Sequence, residues 1–121
     1  LNIESLAGTW TGEPFTDKII ILRGGRGFVV YKNGATMNIR IIAGKSDSEI
    51  EVRQAGRANA SFFTEIPRET ALLYAPSANP IVWNLKITSQ NTLEGTKTTL
   101  ITENGGASAK EGKISTVWTR K

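Results

Sequence analysis

Few side chains in this 121-residue sequence could do chemistry, and their kinds narrow the chemistry quickly. There is no His and no Cys. Imidazole bases, thiolate nucleophiles, disulfides and the usual zinc ligands are therefore all missing, and no metal or cofactor is expected. Glu49 and Glu51 are two apart on one strand, a spacing that places both carboxylates on one face. Paired carboxylates can serve as acid and base, but this pair flanks an inward Ile50 and is expected to face solvent, where nothing perturbs a pKa. Arg23-Gly24-Gly25-Arg26-Gly27 could cradle a phosphate or mimic an RGG segment. It lacks the Gly-x-Gly-x-x-Gly or Lys-Ser/Thr context and no helix follows, so a glycine-rich turn is the expectation.

Lys97 is the oddest residue. It shares strand parity with Leu93 and Ile101, which aims it inward, where an ammonium would suit an anionic headgroup at a desolvation cost of several kcal/mol if unpaired. A bulge at Gly95 would flip the register and return Lys97 to solvent, and of the two the bulge is the expectation. Phe62, Phe63, Leu72, Leu73 and Tyr74 sit in an irregular stretch from Ala55 to Pro80. They could rim a ligand mouth or an interface, or pack beneath the loop as a satellite core, which is the preferred of these. With Trp83 and Lys97, the aromatic residues Phe62, Phe63 and Tyr74 are the candidate ligand-binding side chains. Asn59-Ala60-Ser61 matches a glycosylation acceptor, a pattern common by chance.

The elements that must position these residues are short strands. The length suits one domain, spanning 1–121. Hydrophobic content of 39% supports a modest core, and no apolar run approaches the ~20 residues of a membrane helix. The net charge is +4 and the sequence pI about 9.6, with Lys and Arg spread along the chain rather than clustered. A solvated surface is expected from that spread, and no nucleic-acid partner. The chain starts at Leu1 without Met or a leader, as a mature or trimmed chain would.

In order, Asn2 caps a helical turn through Leu6, with Ile3 and Leu6 spaced to plug one end of a barrel. Strands follow at Ala7 to Gly12, Lys18 to Arg23, Phe28 to Tyr31, Ala35 to Ala43, Ser48 to Gln54, Ile81 to Thr88, Leu93 to Thr102 and Lys113 to Arg120. The run Ile19 to Leu22 does not alternate and could be covered on both sides. Asn33-Gly34 is a type I′ hairpin signal. Ser61 to Thr64 could add a short strand, Pro67 to Tyr74 a turn or two of helix with Pro at its first position, and Glu103 to Gly112 a flexible loop. Met37, Ile39, Ile41, Ile50, Val52, Trp83, Leu85 and Ile87 alternate with polar neighbours and are expected inside. All-β, eight antiparallel strands in meander order close into an up-and-down barrel, whose interior holds side chains or one small ligand.

Gly8-Thr9-Trp10 on the first strand and Arg120 at the end of the last resemble the calycin superfamily, and within it lipocalin-like proteins. The resemblance implies that Trp10 plugs the closed end, that Arg120 lies across it, and that Gly8, Trp10 and Arg120 form the structural motif. It further implies a small hydrophobic ligand and an extracytoplasmic place, periplasmic, envelope-anchored or secreted. The chain departs from full lipocalins in lacking a long helix after the barrel, from intracellular fatty-acid-binding proteins in lacking a two-helix lid between its first strands, and from avidins in lacking their biotin-binding pattern. It looks most like compact lipocalin-like domains of bacterial envelope proteins. Two functions are expected from this: a non-enzymatic barrel binding a small hydrophobic or amphipathic ligand, or a protein-interaction module with a filled barrel. An OB-like nucleic-acid binder is a weaker third.

Overall fold

The computed structural model describes residues 2–121. Eight strands follow one another: β1 (Gly8–Thr11), β2 (Thr16–Leu22), β3 (Arg26–Tyr31), β4 (Thr36–Ala43), β5 (Glu49–Gln54), β6 (Val82–Ser89), β7 (Thr92–Glu103) and β8 (Ser108–Arg120). Each pairs antiparallel with the next, and β8 pairs with β1, so the sheet is a closed up-and-down barrel. Closure leaves no free sheet edge. A 3-10 turn (Ile3–Leu6), capped by Asn2 as expected, sits across the end where β1 begins. The connection between β5 and β6 crosses the opposite end. It carries a 3-10 turn (Ala60–Phe62), the helix α1 (Arg68–Tyr74) and a further 3-10 turn (Ala75–Ser77). Among the described residues, no helix is long and apolar enough to cross a membrane.

The alternation places the core where the period of two requires. Met37, Ile39, Ile41, Ile50, Val52, Trp83, Leu85 and Ile87 are all buried, none above 8% exposed. The non-alternating β2 resolves into the same pattern. Ile19 and Ile21 are inside, while Leu22 is 45% exposed, so the run is not covered on both faces.

Four local expectations change. Ser61 to Thr64 is no strand, because Asn59 caps a 3-10 turn there through its side chain. Pro67 is the residue before α1 rather than its first. At Asn33-Gly34 only Gly34 has positive φ, and Asn33 Oδ1 instead accepts from the Ala35 N–H; this is a three-residue loop with glycine in the left-handed position, not type I′. The stretch Glu103 to Gly112 is mostly strand, with only a tight turn at Asn104–Gly106. Gly112 lets Ile101 lie across β8, since a Cβ there would strike the Ile101 side chain.

The barrel seam is short. Only Trp10↔Arg120 and Thr11↔Thr119 are in register between β1 and β8. The Arg120 side chain reinforces it. Its guanidinium carbon sits 4.5 Å from the centre of the Trp10 ring, and its N–H groups donate to the carbonyls of Ala7 (2.9 Å), Ser5 (3.0 Å) and Gln90 (3.0 Å). Trp10, fully buried, donates its indole N–H to Leu6 O. Gly8 leaves room for this, with φ of 144° and space that a Cβ would take from the guanidinium.

Trp10→Ala is expected to cost about 3–5 kcal/mol, as large core truncations do, and Arg120→Ala less. Arg120→Lys should recover little of that loss, because an ammonium cannot stack and fork at once. A urea-denaturation double-mutant cycle on Trp10 and Arg120 measures their coupling. Additive effects would mean that the stack contributes nothing to the seam.

Candidate functional site

The polar centre of the molecule lies inside the barrel and is built around Glu13. The chain reaches it through Gly12, whose φ of 141° turns the backbone and whose missing Cβ would collide with the Val117 carbonyl on β8. That close approach lets the next residue swing inward. Pro14 then ends the pairing, and Thr16 fixes the turn by donating from both its N–H and its hydroxyl to Glu13 O.

The Glu13 carboxylate is saturated. Oε2 accepts from the indole N–H of Trp83 (2.6 Å), the indole N–H of Trp118 (2.6 Å) and the Thr116 hydroxyl (3.2 Å). Oε1 accepts from Lys97 Nζ at 3.0 Å. Lys97 also donates to Glu65 Oε2 at 2.9 Å and lies 5.3 Å from the centre of the Trp83 ring. Trp83 and Trp118 meet edge to face with centroids 5.5 Å apart. Burying a lone charge costs several kcal/mol. Here Glu13 has four donors, and the ammonium has two carboxylates and an aromatic face.

Lys97 is therefore inside, 1% exposed, and the expected bulge at Gly95 is absent. Gly95 pairs in step with Leu85 on one side and Thr116 on the other. Its glycine serves a close approach instead, because a Cβ there would strike the Asn84 carbonyl oxygen. The inward parity of β7 holds, and its cost is met by carboxylates from two distant connections.

Burial alone would lower the Lys97 pKa, but the carboxylates of Glu13 and Glu65 outweigh it and hold the ammonium above the usual lysine range. Burial pushes the Tyr31 hydroxyl up as well, against the pull of Lys97. The Lys97 ammonium and the Glu13 carboxylate direct their hydrogen bonds to each other and to neighbouring side chains inside the barrel. The arrangement can bind charge and fix geometry.

The remaining candidates are dispersed. Phe62 and Phe63 are buried beneath the β5–β6 connection, and Phe62 stacks on Tyr31 with centroids 5.8 Å apart. Tyr74 is half-buried at the end of α1. Leu72 and Leu73 of α1 are exposed, 54% and 73%. Glu51 pairs with Arg53 on the outer face, and Glu49 accepts from Ser46. Among the described residues no group of three potential metal ligands comes together. Glu13, Glu65 and Thr116 were not apparent from pattern alone. The usable signal was indirect: inward indole N–H groups and an inward lysine all require acceptors, and Glu13 beside a glycine can supply one.

A closed meander barrel with a charged cluster in its interior is the class these features define. The chain belongs to the TP_0183_C family, described as C-terminal, whose family model matches residues 1–121. No curated protein matches the chain, and no solved structure does.

Lys97→Met leaves Glu13 and Glu65 facing each other without their cation, and is expected to cost about 3–5 kcal/mol. Glu65→Gln should cost less, since its side chain is 18% exposed. Urea denaturation reads both, and a Lys97→Met protein as stable as the wild type would remove the cluster's structural role. The pH dependence has a definite sign. The unfolded chain releases the Tyr31 and Lys97 protons at about pH 10, while the folded chain keeps them. The stability they contribute is full below that pH and is lost as pH rises through the folded values. The Tm should therefore fall above about pH 10, less steeply in Tyr31→Phe; an unchanged slope in that variant would show that Tyr31 titrates alike in both states.

Proposed function

We propose that this protein is a non-enzymatic, lipocalin-like interaction module, a filled barrel that presents the end covered by the β5–β6 connection to another protein. One observation carries this. The inward positions at which a barrel would grip a small molecule are taken by Trp83, Trp118, Tyr31 and the Glu13–Lys97 pair, all buried and bonded to one another or to the connection. The lipocalin-like likeness is supported by the Trp10–Arg120 stack at the seam. With the interior occupied, what remains to recognise a partner is the surface, and there Leu72 and Leu73 are exposed on a helix tied to a rigid scaffold.

A second reading, a small amphipathic ligand, has its own observation. A cleft of about 550 Å³ lies at the other end, with Ile3, Ile50 and Ile87 as apolar lining and Asn2, Lys45 and Glu49 among its polar residues. This size suits a small molecule. Native mass spectrometry of the protein purified from its own cells separates the two. The module should appear as the bare chain or in fixed stoichiometry with another protein, and Leu72→Asp/Leu73→Asp should abolish that complex. A retained small molecule, lost on substituting Ile87 with Asp but not on substituting the two leucines, would overturn the module in favour of the cleft.

A further inference from the structure

Two neighbouring grooves carry cations and no carboxylate in their lining. At the end covered by the β5–β6 connection lie two grooves, of about 680 Å³ and about 370 Å³, which meet at Ala60 and Arg68. The first is floored by Ala75, Ala78, Pro76 and Leu72, and carries Arg57 and Arg68. The second is lined by Phe15, Phe63 and Ile66, and carries Lys32 and Arg68. Neither groove has an Asp or Glu in its lining. The cleft at the opposite end, by contrast, includes Glu4, Asp47 and Glu49. Among the described residues Arg57, Arg68 and Lys32 make no ion pair, for the four salt bridges belong to Arg53, Lys97 and Lys110. Arg68 is aimed by a hydrogen bond to Ser61 Oγ, 2.9 Å, and the walls are fixed by Asn33 donating to Ser61 O, 3.0 Å. Together the two adjoining grooves make a partly apolar channel, with three cations along it that form no salt bridge.

Resting on the interaction-module function above, we infer that this channel docks an acidic peptide segment of a partner protein, with apolar side chains seated against Phe15 and Leu72 and carboxylates paired to Arg57, Arg68 and Lys32. Guanidinium groups favour carboxylate by forked hydrogen bonds, and the apolar floor supplies desolvation that a purely ionic contact lacks. Concave walls suit an inserted chain better than a flat anionic membrane.

Fluorescence anisotropy with a labelled synthetic peptide alternating Leu or Phe with Asp or Glu tests this on the whole chain. A peptide with Lys in place of the acids and vesicles of phosphatidylglycerol serve as the competing probes. The acidic peptide should bind, more weakly as salt rises, and Arg57→Glu/Arg68→Glu should weaken it about tenfold or more in protein that still melts cooperatively. Lys32→Glu, which breaks no side-chain hydrogen bond, should act in the same direction and covers the case in which the double variant unfolds. No binding by the wild type, equal binding of the Lys peptide, indifference to both charge reversals, or preference for the vesicles would each overturn the inference. If the native complex survives Arg57→Glu/Arg68→Glu but not Leu72→Asp/Leu73→Asp, the acidic chemistry fails while the module stands. A small molecule found in the cleft instead would remove the module itself.

Discussion

A single carboxylate holds the interior together. Glu13 enters from the connection after β1 and joins β6 through Trp83, β7 through Lys97 and β8 through Trp118 and Thr116. Lys97 extends the set to Glu65, on the connection that covers one end. In a low-dielectric interior such bonds are strong when complete and costly when one member is missing. Their main effect is on specificity. A one-residue slip of β6 or β8 would turn Trp83 or Trp118 outward and take one or two of the four donors away from Glu13. Hydrophobic residues of the right size would tolerate several registers, whereas a carboxylate with four named partners accepts one.

The same set fastens the connection over the barrel mouth. Glu65 reaches Lys97, Phe62 stacks on Tyr31, and Asn33 and Arg68 both bond Ser61. The long segment between β5 and β6 is thereby a fixed cap. Contacts that fix the segment in this way lower the ordering cost of any contact made on it.

How much of this could be read from the sequence depended on range. Period-two alternation is local, and β4, β5 and β6 followed it residue by residue. The end-to-end pairing of Trp10 with Arg120 was legible because a barrel must close and both strands had recognisable faces. Lys97 shows where local reading stops. Its parity pointed inward, but the carboxylates that make this tolerable lie 84 and 32 residues away, in segments with no strand pattern. With no visible counter-charge, a bulge at Gly95 was the cheaper expectation. Glu103 to Gly112 defies local reading for a different reason. Gly, Ala and Ser have low intrinsic strand preference, and only the partner strand, with Ile101 over Gly112, keeps that ribbon extended.

The remote partners of Glu13 also order events in time. Trp118 is 105 residues further along the chain, and β8 pairs with both β7 and β1. A nascent chain lacking β8 has two open sheet edges, on β7 and β1, and a carboxylate short of two of its donors, so seven strands cannot rest in a native-like state. Long-range contacts of this kind slow folding, because loop-closure entropy is spent before they form. Assembly thus waits on β8, and on a ribosome the barrel commits to its structure only after that strand emerges.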